Sequence, residues 1–322
     1  MNHCWTATQL LMLAAGIVAT NAVAQNYPSK PVRIIVGTAP GGGADTQARL
    51  IAKRFQETMN QRFVVDNRPG ASGMIGAELT ARSPADGYTI MMATALLTTN
   101  AILYKKITFD PFKDLTPISQ ISFAPQFLIV HPSVPARTAQ EFVAMARKHS
   151  GKLNAGSSGT GSANHLALEM FKLATGIQAT HVPYKSGAPA MVALISGEVD
   201  FTFTGAVTAL PHIRTRKVRP LAVTSIKPSS VLPEVPTLNT WYPGFESANW
   251  YALFAPAGTA PAVIAKLSEE TTKAIKAPEV REFIAGEGAE PVGGTPQELA
   301  TLFKRDFDRY SKVIAAANVR VE

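Results

Sequence analysis

From Val32 onward, short β-branched runs alternate with stretches whose apolar positions recur every three or four residues. Residues 32–37 (VRIIVG) are apolar almost throughout, as a strand buried on both faces requires. Ala44, Ala48, Ile51, Ala52, Phe55 and Met59 follow at helical spacing, and residues 63–66 and 89–94 predict two further strands. A second series opens near Gln126. Apolar residues 127–130 lead into a helical pattern over 138–148, a short strand at 153–156, a helix over 163–173 and an extended stretch at 180–183. Another helix over 188–196 and strands at 200–204 and 219–224 complete it. Such βαβ alternation predicts an α/β chain with two doubly wound, mainly parallel sheets. After residues 250–255 the tail is mostly helical, and Leu299, Leu302, Phe303, Tyr310, Val313, Ile314 and Ala317 make one apolar stripe. That stripe needs a surface. A tail returning to the first unit makes the chain cross twice between two lobes, which predicts a hinge and a cleft. The expected boundaries are 25–126 for the first lobe, 127–249 for the second and 250–322 for the return.

The first two dozen residues carry a different pattern. Leu10 to Val18 is an apolar run, and Ala22-Val23-Ala24 is the small-x-small sequence of a signal-peptidase site, so residues 1–24 read as a secretion signal. Its n-region holds His3 but no Lys or Arg. A membrane anchor is the alternative, but the run is shorter than the roughly 18 residues that a span needs. Cys4, the single cysteine, would leave with the signal, so the remainder has neither a disulfide nor a thiolate. With 46% hydrophobic and 17% charged residues, the 322-residue chain is rich enough to build two cores rather than remain disordered. The net charge of +8 favours anionic ligands or an acidic membrane or partner. Its positive residues are scattered apart from Arg214, Arg216, Lys217 and Arg219, and no nucleic-acid motif occurs, so nucleic acid is not an expected partner.

Three loops, each between a strand and a helix, are where chemistry is expected. The first is Ala39-Pro40-Gly41-Gly42-Gly43-Ala44-Asp45. Its glycines let the backbone approach a ligand, and the helix start offers unpaired amides to an anion. Asp45 reads better as a first-turn carboxylate that satisfies those amides than as a ligand contact. The second loop contains Ser157, Ser158, Gly159, Thr160, Gly161, Ser162 and Asn164, and reads as an anion cradle or a plain turn. The third is Tyr184-Lys185-Ser186-Gly187-Ala188, where Lys185 is the only cation in any of the three. Anion-friendly helix starts on opposing lobes suit capture of a small carboxylate without a formal ion pair. Enzyme signatures are missing: there is no G-x-S-x-G elbow, P-loop, G-x-G-x-x-G after a strand, or H-E-x-x-H. His131, His165, His181 and His212 show no metal-ligand spacing, and neither a metal nor a cofactor is expected. His165, close behind the serine-rich loop, reads as a cleft-lining or packed histidine, or as the base of a Ser–His hydrolase with Ser157, Ser158 or Ser162.

An ordered set of short motifs adds to this reading. It runs through Tyr27-Pro28-Ser29-Lys30-Pro31, Pro40–Asp45 with Ala48-Arg49-Leu50, Asn67-Arg68-Pro69-Gly70-Ala71 and Asp86-Gly87-Tyr88-Thr89. It continues through His181–Lys185, Ala209–Ile213, Leu221–Thr224, Pro233–Thr237 and Phe254–Thr259. In these marks the chain resembles the Bug-type extracytoplasmic solute receptors of tripartite tricarboxylate transporters. The resemblance implies a two-lobed periplasmic-binding-protein fold without catalysis. It also implies a ligand carboxylate held by loop amides and waters, from Gly41–Asp45 on one lobe and Ser157–Ser162 with Tyr184–Ala188 on the other. A two-component integral permease would be the partner. A membrane sensor kinase reading the same clamshell is the rival. Two departures from the family pattern adjoin the expected cleft. Ala95-Leu96-Leu97 after Thr94 is apolar where polar residues are frequent, and Thr204-Gly205 stands where an Asp-Asn pair is frequent. Both make room, so a larger or more apolar carboxylate, such as an aromatic acid, is expected rather than an amino acid.

Overall fold

The computed structural model describes residues 27–104 and 107–320; the expected secretion signal and Cys4 lie outside them. In chain order the first elements are β1 (Val32–Val36), α1 (Gly43–Met59), β2 (Phe63–Asn67), α2 (Met74–Ala81), β3 (Thr89–Thr94) and α3 (Leu96–Leu103). Next come β4 (Leu115–Val130), α4 (Ala139–Lys148), β5 (Leu153–Ser157), α5 (Ala163–Thr175), β6 (Ala179–Pro183), α6 (Gly187–Ser196), β7 (Phe201–Gly205), α7 (Ala206–Arg214) and β8 (Arg219–Val223). The chain ends with β9 (Ala248–Pro256), α8 (Pro261–Lys276), α9 (Pro278–Gly286), β10 (Glu290–Pro291) and α10 (Pro296–Ala316).

The strands run in the order β2-β1-β3-β9-β4-β7-β5-β6, with β8 and β10 also paired to β4. β1 is parallel to β2 and β3, and β5 is parallel to β6 and β7, as the βαβ pattern predicts. The antiparallel pairings come from the crossing strands: β9 between β3 and β4, and β4 against β7 and β8. β4 is far longer than its apolar half suggests. It pairs with β9 up to Pro125 and with β7 from Gln126, so one strand passes from the first sheet into the second. Its first half is hard to read because Ser119 and Ser122 are buried in it. Ser119 donates to the Gly294 carbonyl and Ser122 to Gln47 Oε1, both at 2.7 Å, so polar residues sit inside without an unmet hydrogen bond.

Alternating residues of each strand feed opposite faces, which gives each sheet two cores. Ile34 and Val36 pack with Ile51, Phe55, Val263 and Leu267, whereas Ile35 packs with Met91, Trp250, Phe254 and Phe303. In the second sheet Leu128 and Val130 face Phe142 and Phe171, whereas Phe127 and Ile129 face Leu194 and Val218. Helices α8 and α9 cover the first sheet, and α10 does more. Leu299 and Phe303 join the first unit's core, while Tyr310, Val313 and Ile314 join the second unit's. Between these halves the Trp250 indole donates to Asp306 Oδ2 at 2.9 Å, with Arg309 on the same carboxylate. A Thr295–Glu298 capping box and Pro296 at the first helical position start α10. Among the described residues no helix is long and apolar enough to cross a membrane.

Candidate functional site

Five helices begin at the carboxyl ends of strands on one cleft of about 610 Å³: α1 and α3 from the first sheet, and α5, α6 and α7 from the second. Its walls include Gly42, Leu96, Ser162, Gly187 and Gly205 at or beside those starts. The first amides of a helix have no intrahelical acceptor, and the helix dipole adds positive character there. Four of the five starts also lack a side-chain cap: Gly42, Ala95, Ser186 and Gly205 stand at the capping positions of α1, α3, α6 and α7 without a side-chain bond to the first turn, although Thr94 Oγ1 accepts the Leu96 amide at 3.3 Å. Only α5 is capped by a side chain, Ser162 Oγ accepting from the His165 amide. Two positions show why glycine is needed. Gly41 holds φ at +86°, where a side chain is strained, and a Cβ on Gly43 would lie 2.5 Å from the Tyr251 hydroxyl. No Lys or Arg is among the described residues that line the cleft.

On the first lobe Asp45 does not line the cleft. Its Oδ2 accepts from the Gly41 amide at 2.9 Å and from Arg49 Nε at 3.0 Å, and Arg49 Nη2 lies 2.9 Å from Oδ1. Burial raises the carboxyl's pKa, but the bonds from Arg49, Gly41 and Asn67 outweigh it and hold it below the usual range. Asp45 is therefore the brace of the glycine turn, neutralised from behind. Asp45→Ala should cost about 2 kcal/mol, from hydrogen bonds to a charged group, and lower the urea midpoint. An unchanged midpoint would mean that Asp45 does not brace the turn.

On the second lobe the serine-rich loop rests on two histidines. Ser157 Oγ lies 2.6 Å from His181 Nε2, and the His181 and His165 rings stack at 3.8 Å, 10° from parallel. His165 Nδ1 accepts the Gly161 amide at 3.0 Å, which assigns its proton to Nε2, the nitrogen 3.7 Å from Glu169 Oε1. Burial first, then the neighbouring His181 and Lys172, pushes the His165 pKa down to about 3. Burial and Lys172 push that of His181 down to about 4. Both rings are neutral props for the loop. No Ser–His165 pair is formed: Ser157 meets His181 and is fully buried, Ser158 Oγ donates to Asn164 Oδ1 at 2.5 Å, and Ser162 Oγ donates to the Gly159 carbonyl at 2.5 Å.

Of the residues singled out from the sequence, Gly41, Gly42, Gly43, Ala44, Thr94 and Leu96 come together on one wall. Ser158, Ser162, Gly187, Thr204 and Gly205 form the other. Ser157, Gly161 and His165 are buried behind the surface with Asp45, whereas Gly159, Thr160, Ser186 and Ala188 lie outside the lining of the cleft, the last three of them exposed. Tyr184 turns away, its hydroxyl donating to Glu198 at 2.6 Å. The cleft also holds residues that motif reading passed over. Thr38 Oγ1 and Gln126 Nε2 are buried with no hydrogen-bond partner among the described residues. Asn249 and Tyr251 arrive on β9, and Glu287 closes α9. An orphaned buried donor such as Gln126 Nε2 costs free energy unless something enters to accept from it.

Known proteins match this chain in both sequence and fold. The profile of the family described as TctC, tripartite tricarboxylate transporter family receptor, matches residues 47–319. Protein BugT of Bordetella pertussis (strain Tohama I) is 32% identical over 315 residues, which cover 97% of each chain. The structure of R. palustris Rpa4515 with adipate superposes with a TM-score of 0.77 at 35% identity, covering 91% of this chain and 99% of the other. MatC from Rhodopseudomonas palustris with bound malate gives 0.72 at 29% identity, covering 89% and 100%. The chain belongs to the tripartite tricarboxylate transporter receptor family, as a Bug-type solute receptor.

Proposed function

We propose that this chain is a periplasmic, non-enzymatic receptor that takes a small carboxylate between its lobes and presents it to the membrane permease of a tripartite transporter. One observation carries the reading: five helix starts, four without a side-chain cap, face a single cleft that no Lys or Arg among the described residues lines. Amides so placed stabilise an anion through direction and dipole. Relatives whose structures hold adipate and malate support a carboxylate as that anion. Gly41–Ala44 would hold it from the first lobe, and Ser158, Ser162, Gly187 and Gly205 from the second, with Gln126 Nε2 as an added donor. A volume of about 610 Å³ lies within the range of roughly 300–1,000 Å³ usual for ligand sites. Leu96, Ala124 and Val207 on its walls favour a bulky or aromatic body on the acid.

The test is a thermal-shift screen of residues 25–322 against carboxylates, with the uncharged amides of the same acids as controls. An acid present at a hundredfold excess over its Kd should stabilise the protein by about 2.7 kcal/mol, and its amide should not. Equal shifts from acid and amide would defeat the carboxylate reading. A screen won by short, unsubstituted acids alone would defeat the bulky one.

A further inference from the structure

The cleft has two electrical poles. Helix starts make the first pole. Glu287 makes the second: among the described residues it is the only carboxylate on the cleft wall, and it stands at the C-terminal end of α9, where the helix dipole is negative. Among the described residues no Lys, Arg or His pairs with it, and its side chain makes no hydrogen bond. Asp45 provides the contrast, because its charge is turned away from the cleft and neutralised by Arg49. Glu287 also lies close enough to Tyr251 to act on it. Burial is the largest influence raising the Tyr251 phenol above its ordinary pKa; the Asn249 hydrogen bond opposes this, and the nearby Glu287 charge adds to the rise. Two amide oxygens on the wall are already engaged, since Asn249 Oδ1 accepts the Ala95 amide at 3.3 Å and Asn164 Oδ1 accepts from Ser158.

Resting on the carboxylate reading above, we propose that Glu287 selects the far end of the ligand. The receptor takes an acid with one carboxylate and a cationic group remote from it, and it discriminates against dicarboxylates. The carboxylate occupies the helix starts, and the cation meets Glu287. A second carboxylate would meet an unneutralised like charge in a partly desolvated cleft, where screening by water is weakened. A carboxylate with only an apolar far end leaves Glu287 unpaired but unopposed, so it falls between the two.

Two series of equal-length acids test this by calorimetric titration at low ionic strength. One is adipate, ε-aminocaproate and caproate; the other is terephthalate, para-aminomethylbenzoate and para-toluate. At least one ammonium acid should bind tenfold or more tightly than its matching dicarboxylate. Glu287→Gln should bring that pair to within about threefold, chiefly by releasing the dicarboxylate; a tenfold ratio corresponds to about 1.4 kcal/mol. The wild-type series already stands alone if the variant folds poorly. Dicarboxylates equal to or tighter than their ammonium partners, or a preference that survives Glu287→Gln, would overturn the selection by Glu287. Binding of none of the six acids would overturn selection of a remote cation at these spacings, whereas the carboxylate reading falls only if acids and their amides shift the melting point alike, which separates the two failures.

Discussion

Gly288→Ala is expected to weaken ligand binding a hundredfold or more and to lower stability by about 3 kcal/mol. Gly288 follows α9 on the first unit with φ at +67°, a conformation that costs an L residue about 1–2 kcal/mol. Its missing side chain is filled from the other lobe. A Cβ there would overlap the Ala206 methyl and lie 3.3 Å from both Ala206 Cα and the Val207 nitrogen. Ala206 is the first residue of α7, one of the helix starts on the cleft, and it is buried. The added methyl cannot be absorbed by a flexible side chain; it must push the α7 start away from the first lobe or unwind the α9 end. Overpacking of this kind costs about 1–3 kcal/mol. Displacing one set of directed amides from a ligand by enough to lose about 2.7 kcal/mol is a hundredfold in Kd. Gly286→Ala is the control, since a methyl at Gly286 meets nothing within 4 Å. If Gly288→Ala binds like Gly286→Ala, the approach of the lobes at this point has no part in binding.

The contact also shows which features are legible in a sequence. Gly41–Gly43 stand out because a glycine run between a β-branched strand and an amphipathic helix has few other uses, and they line the cleft. Gly288 carries no such signal. Its neighbour Ala206 is more than eighty residues away, and only the return of β9, α8 and α9 to the first unit brings them together. Asn249 and Tyr251 are hidden for the same reason, being polar residues on a strand inserted between β3 and β4. Gln126 sits one residue before an apolar run, and its orphaned amide is visible only once β7 and β9 fix where β4 changes partner. The long helix α10 reads as one stripe because periodicity records a face, not what covers it; its two halves meet different cores. His165 stands out by its position behind the serine loop, but its role depends on β5–β6 register, which sets His181 opposite Ala155 and brings the two rings into a stack.

That stack makes the protein sensitive to mild acid. Between about pH 7 and pH 5 the folded state should lose roughly 3 kcal/mol, a large share of the 5–15 kcal/mol typical of a domain. The ordinary histidine pKa is 6.5, and in the fold it falls to about 3 for His165 and about 4 for His181. Below 6.5 the unfolded chain therefore binds up to two protons that the folded chain refuses. Each such proton changes stability by about 1.36 kcal/mol per pH unit, downward as pH falls. The loss sets in near pH 6.5, continues toward about 4 as His181 takes its proton in the fold, and runs lower for His165. The ion-paired carboxylates do not confuse this window. Asp45 and Asp66 have pKa values lowered below 3.8 in the fold, so their contribution is intact at pH 5 and is lost only in stronger acid. Urea unfolding at pH 7, 6 and 5 would measure the slope, and His181→Gln separates the causes. Glutamine keeps a partner for Ser157 but cannot titrate, so about half the pH dependence should vanish even if the variant is less stable throughout. A slope that the variant leaves unchanged, or equal stability at pH 7 and pH 5, would mean that the stacked rings do not stay neutral, and that the serine loop rests on something other than their two uncharged nitrogens.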